Sequence, residues 1–176
     1  MIQTVGERMT PAAAQLQGWQ GGPAWQGARQ SERRGRLSGR RILVIDSDGQ
    51  VRSAAHSLLE RYGCIVETAR DGAEATSMVR GGQEPYDVVI SDIRLPDMTG
   101  YELLIRLREI VDSVPMVLMT GFGYDPGHSI VKARQAGIDL VLFKPFRIDQ
   151  LLDTIDRAIS RVESPSETSR PVSRDS

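Results

Sequence analysis

Two hydrophobic periods alternate along residues 41–162. Short, nearly continuous apolar runs cover residues 41–46, 64–68, 86–91, 115–119 and 139–143. Such runs suit strands buried on both faces. Between and after them, apolar side chains return every three or four positions, as on a helix with one buried stripe. Val51, Ala54, Ala55, Leu58, Leu59 and Tyr62 predict a first helix, stopped by Gly63. Asp71 predicts the N-cap of a second helix through Val79, ended by Gly81 and Gly82. Leu103, Leu104, Leu107, Ile110 and Val111 predict a third. Residues 129–136 predict a weaker fourth, closed by Gly137, and Ile148, Leu151, Leu152, Ile155, Ile159 and Val162 a strongly amphipathic last one. Strand–helix units in succession bury their apolar faces when the strands lie parallel and right-handed crossovers place helices on both sides. The predicted fold is therefore α/β, a doubly wound five-stranded parallel sheet.

The flanks differ in composition. Residues 1–40 are rich in Gln, Gly, Ala and Arg, show no sustained period, and read as a disordered arm. A sharper reading is a docking arm built on Trp19, Trp25 and the arginines of residues 29–41. Seven arginines against Glu7 and Glu32 give residues 1–41 a net charge of +5, and residues 42–162 carry −5. Residues 163–176 read as a disordered polar tail. The expected organisation is an arm over 1–40, one domain over 41–162, and a tail over 163–176.

The 176 residues carry a net charge of −1, so no overall basic field argues for nucleic acid. One cysteine, Cys64, excludes an intrachain disulfide framework and reads as a small buried hydrophobe. His56 and His128 form no ligand pair and read as surface or capping residues. No stretch reaches the ~18 apolar residues of a membrane-spanning helix, and no secretory leader is evident. The expected location is the cytoplasm, with no membrane association. Neither a P-loop nor a Gly-rich dinucleotide turn is present.

In an open parallel sheet, ligands bind beyond the carboxyl ends of the strands. The first strand delivers Asp46 and Asp48 there, the third Asp92, the fourth Thr120 and Gly121, and the fifth Lys144. Lys132 and Lys144 are the only lysines. Three acids, a hydroxyl and a lysine on one edge suit phosphoryl transfer to a carboxylate. Clustered carboxylates repel unless a cation sits among them, and a hard divalent ion such as Mg²⁺ takes oxygen ligands. One carboxylate can attack phosphorus while positive charge offsets the phosphoryl oxygens. The hydroxyl and adjacent amide can hydrogen-bond a phosphoryl oxygen.

Four motifs, in order and at matching spacing, carry a family resemblance: residues 42–46 (Ile-Leu-Val-Ile-Asp), 91–100 (Ser-Asp-Ile-Arg-Leu-Pro-Asp-Met-Thr-Gly), 119–121 (Met-Thr-Gly) and 143–146 (Phe-Lys-Pro-Phe). Residues 41–162, roughly two-thirds of the chain, resemble the receiver domain of two-component response regulators, the CheY-like, flavodoxin-like fold. The resemblance implies that Asp92 is the phosphoacceptor, taking a phosphoryl group from a histidine kinase or phosphotransfer protein. It implies that Asp46, Asp92 and the backbone carbonyl of Arg94 hold Mg²⁺ or Mn²⁺, with Asp48 a further candidate. Thr120 would be the switch hydroxyl and Lys144 the phosphoryl contact, its bond to Pro145 often cis. The chain would be a single-domain response regulator, not an enzyme, signalling to a downstream protein partner. A homodimer could form through the fourth helix, fifth strand and last helix.

Two positions depart from the family pattern. Ser47 stands where a second acid is usual, and Val141 where the fifth strand usually carries a switch aromatic. The loop over residues 122–128 is also atypical. These departures motivate an alternative, a degenerate receiver that binds partners without phosphorylation. A second alternative is a haloacid-dehalogenase-like phosphohydrolase, whose nucleophile–acid pair residues 46–49 (Asp-Ser-Asp-Gly) mimic.

Overall fold

A computed structural model describes residues 24–111, 114–121, 131, 135, 137, 138 and 140–163. The elements, in chain order, are α1 (Ala24–Leu37), β1 (Arg41–Ile45), α2 (Gly49–Arg61), β2 (Ile65–Ala69), α3 (Gly72–Gly81), β3 (Val88–Asp92), α4 (Gly100–Arg108), β4 (Met116–Thr120), β5 (Leu140–Phe143) and α5 (Ile148–Glu163). The strands form one parallel sheet in the order β2-β1-β3-β4-β5. The predicted doubly wound sheet is thus present. The predicted fourth core helix, over 129–136, and the atypical loop at 122–128 lie largely or wholly outside the described residues.

Burial follows the sheet order. β3 and β4 are buried throughout and β1 over its last four residues, whereas β2, at one edge, is mostly exposed or half-buried. Successive side chains on a strand point to opposite faces, and the core splits accordingly. Ile42, Val44, Val88, Ile90, Val117, Met119, Leu140 and Leu142 pack with α2 and α5. Leu43, Ile45, Val89, Met116 and Leu118 pack with α3 and α4 on the other side.

Local chemistry fixes the helix ends. Asp48 caps α2, its Oδ1 accepting from the amides of Gln50 and Val51. Asp71 caps α3 as predicted, accepting from the Glu74 amide. Thr99 and Glu102 form a capping box at α4. Gly63 has φ +83°, a left-handed turn between α2 and β2 that favours glycine. The third strand starts later than predicted because Asp87 serves as a staple: its Oδ2 accepts from the Arg41 amide at 2.8 Å and its Oδ1 from Arg40 Nη1 at 3.0 Å. Cys64 is buried as expected, its Sγ 3.4 Å from the Leu37 carbonyl oxygen, and burial pushes its thiol up to about 11.

The expectation of a disordered arm through residue 40 needs correction over its second half, because residues 24–37 form α1. Gly27 and Gly35 and the scarcity of apolar residues hid the helix from a periodicity reading. Its order comes from tertiary contacts. Leu37 is fully buried in the cluster that includes Leu59, Tyr62, Ile155 and Ile159, and Arg33 and Arg36 pair with Asp153 and Asp156 of α5. Residues 1–23 lie outside the described residues. Leu37→Ala should lower stability by about 2–5 kcal/mol. A urea midpoint unchanged from wild type would show that α1 is no part of the cooperative unit.

Candidate functional site

The chain reverses its direction of winding between β1 and β3, which opens a crevice at their carboxyl ends. Asp46 leaves β1 into that crevice and Asp92 ends β3 there; both are buried. Lys144, following β5, reaches across to them. Its Nζ donates to Asp46 Oδ2 at 2.5 Å and lies 2.9 Å from Asp92 Oδ1. The second oxygen of each carboxylate takes a loop amide: Asp48 N donates to Asp46 Oδ1 at 2.9 Å, and Arg94 N to Asp92 Oδ2 at 3.2 Å. Three side chains far apart in sequence thus form one buried ionic cluster.

Thr120 is buried at the end of β4, and its carbonyl accepts from the Lys144 amide at 2.6 Å. That bond ties the hydroxyl-bearing residue to the lysine. A Cβ at Gly121 would stand 4.0 Å from Lys144 Cβ, so the glycine keeps this side of the crevice open. The Lys144–Pro145 bond is cis. Arg94 lies in the loop between β3 and α4, which folds back through a bridge between Arg94 and Thr99. Asp48 stands beside the cluster, and its Oδ1 accepts the amides of the α2 cap. Ser47 is exposed. Val141 is half-buried against the α3–α4 side of the core, and Phe143, two residues on, is 48% exposed.

Sequence reading missed two supports. Arg52, one turn into α2, donates from Nη1 to the Asp46 carbonyl at 2.6 Å and so holds the loop carrying that acid. Only proximity in sequence to Asp46 pointed to it. Asp97 receives the amides of Gly72 and Ala73 at 3.0 and 2.9 Å, clamping the loop after β3 to the start of α3. Burial pushes its carboxyl up, yet these amides, with those of its own loop, bring it below the ordinary aspartate value. The quoted motif contained Asp97 without revealing that contact.

The electrostatics follow from two buried carboxylates sharing one ammonium. Burial lowers the affinity of Lys144 for its proton, and the charges of Asp46 and Asp92 more than restore it, so its pKa lies above the ordinary lysine value. Burial pushes Asp46 up; Lys144 and the Asp48 amide pull it down, Asp92 adds repulsion, and the net is above an ordinary aspartate. One negative charge in this cluster stays unmatched. Hard oxygen donors with surplus negative charge fit a divalent cation such as Mg²⁺. Among the described residues, no group of three His, Cys, Asp or Glu side chains is assembled for a metal, so water would complete the shell.

The Asp46 shift has a defined sign. A carboxyl whose folded pKa is raised favours the protonated form in the fold, so its contribution is fully present below the unfolded value of 3.8 and lost as pH rises through the folded pKa. With EDTA present, the wild type should therefore lose stability relative to Asp46→Asn as pH rises above 3.8. Parallel urea midpoints across that range would sink the assignment.

Comparison with known proteins agrees with this arrangement. The family model for the response regulator receiver domain matches residues 42–156. The transcriptional regulatory protein TcrA of Mycobacterium tuberculosis is 35% identical over 127 residues, covering 72% of this chain and 48% of that protein. The response regulator MprA of Mycobacterium sp. (strain KMS) is also 35% identical over 127 residues, covering 72% of this chain and 53% of that protein. The chain spans about half the length of these curated relatives. Among solved structures, a response regulator receiver domain protein from Clostridium thermocellum superposes with TM-score 0.66 at 28% identity, over 72% of this chain and 99% of that one. The chemotaxis response regulator CheY4 of Vibrio cholerae gives 0.61 at 28% identity, over 69% and 99%. With the acids of β1 and β3 and the lysine after β5 gathered on one sheet edge, and the family model spanning most of the chain, this protein belongs to the response regulator receiver domain family.

Proposed function

We propose that the chain accepts a phosphoryl group on Asp92 from the phosphohistidine of a histidine kinase or phosphotransfer protein, and signals by protein contact. The observation that carries this reading is the Lys144 ammonium, 2.5 Å from Asp46 and 2.9 Å from Asp92. An Asp92 carboxylate oxygen attacks phosphorus, the N–P bond of the donor breaks, and the imidazole leaves with its electron pair. The product is a mixed anhydride. Lys144 moves from the carboxylates to the phosphoryl oxygens, and the Thr120 hydroxyl donates to one of them. Gly121 leaves room for the group. Asp46, Asp92 and the Arg94 carbonyl would hold Mg²⁺ or Mn²⁺, which supplies positive charge against the phosphoryl oxygens. Asp48 remains a further candidate ligand through Oδ2, since both amides of the α2 cap go to its Oδ1.

Output in this reading passes to a downstream protein as a population shift between two states of the domain. A homodimer across residues 129–136, β5 and α5 is a second outlet. The reading involves no membrane and no nucleic acid, and places the chain in the cytoplasm; no described helix is long and apolar enough to cross a bilayer. The test is incubation with acetyl phosphate and Mg²⁺, followed by intact mass. One phosphate adduct supports the proposal. No adduct supports the degenerate binding module, which the exposed Ser47 favours. Steady phosphomonoester turnover that depends on Asp46 would indicate the phosphohydrolase.

A further inference from the structure

α1 lies outside the residues matched by the family model, and its contacts form a pattern. On α5, Asp149, Asp153 and Asp156 recur at intervals of four and three, a single helical stripe. On α1 and the turn after it, Arg33, Arg36 and Arg40 recur at three and four, and Arg29 continues that spacing upstream. The two stripes meet in register. Arg33 pairs with Asp153, and Arg36 Nη2 lies 3.2 Å from Asp156 Oδ2, both at a sequence offset of 120. Arg40 pairs with Glu163, the last residue of α5. A constant offset means the helices run parallel, arginine row on acid row.

Among the described side chains of α1, residues 31–37, the apolar hold is Leu37, which lies in the buried core. The others are polar or glycine. A short helix carrying two glycines is not stable alone in water. The described turn before Leu37 is therefore held by the ion pairs, which salt screens.

We propose that the acidic stripe of α5 is a docking surface for an arginine-striped helix, and that α1 occupies it in cis as a displaceable latch. Leu37 is the hinge anchor, and the turns before it are the part that lifts. The competing partner is a protein helix with arginines at the same spacing. The inference stands on the α1–α5 geometry alone and is independent of phosphorylation.

The test is hydrogen exchange of the full chain, comparing wild type, Arg33→Glu/Arg36→Glu, and that variant combined with Asp153→Arg/Asp156→Arg. Protection of the amides of residues 28–36 should fall about tenfold in the charge reversal and return in the charge swap, with β1, β3 and β4 unchanged. The same amides should lose protection on raising salt. A fluorescein-labelled peptide of residues 22–37 should bind the charge-swapped chain poorly, and should bind Arg33→Ala/Arg36→Ala at least tenfold more tightly than wild type. Unchanged protection in the charge reversal would overturn the latch, as would equal peptide binding to wild type and the alanine variant. Sedimentation showing a wild-type dimer that dissociates in the reversal variant would assign α1 to a second copy and overturn the cis arrangement.

Discussion

Asp92→Asn should take no phosphate at all from acetyl phosphate, while remaining folded. The substitution is isosteric, but an amide is not a nucleophile toward phosphorus under these conditions. Its single oxygen can accept from the Arg94 amide, which now reaches Asp92 Oδ2, or from Lys144 Nζ, but not from both. Removing one of two like charges from the cluster leaves Lys144 paired with Asp46 alone, so little folding stability is at risk. The unfolding free energy from urea titration should lie within about 1–2 kcal/mol of wild type, since Lys144 keeps its pairing with Asp46. The loss of adduct is then chemical. An adduct that persists in Asp92→Asn would move the acceptor elsewhere and remove the basis of the proposed function.

Lys144→Ala should be the most destabilising single change at the site. Asp46 and Asp92 would remain buried side by side with no cation. Breaking a buried ion pair by removing one partner costs about 3–5 kcal/mol, because the charge left behind is neither solvated nor paired. The Lys144 side chain is only 16% exposed, so water screens little of this. The damage should depend on pH in a definite direction. Without the ammonium, which pulls the Asp46 carboxyl down, its folded pKa rises further, so the cost is smaller when Asp46 is protonated and grows as pH climbs through that value. In EDTA, the midpoint difference between Lys144→Ala and wild type should shrink on acidification from neutrality. A variant as stable as wild type at neutral pH would mean that the ion cluster carries no weight in the fold.

Much of this was legible in the sequence because parallel-sheet chemistry is local. Runs such as residues 42–45 are apolar on both faces, which suits an interior strand. The crevice residues follow directly, since each lies one step past such a run. What could not be read is where a polar side chain spends its hydrogen bonds. Asp48 looks like a metal ligand in a list of acids, yet it begins a helix whose first amides need an acceptor. Arg52 carries no signal in the sequence beyond its closeness to Asp46, because its partner is a backbone carbonyl. α1 was invisible for a related reason: its complement is a charged row about 120 residues away, and no window along the chain brings the two together.

Gly100 stands at the first position of α4, its amide donating to the Ile93 carbonyl at 2.9 Å. A methyl group there would overlap the carbonyl of Asp92 and reach Ser91 Oγ at 3.0 Å. The backbone of Asp92 and the leading turn of α4 are therefore in van der Waals contact with nothing between them. A shift of the Asp92 peptide therefore presses directly on the first turn of α4, so the two are mechanically joined at this contact.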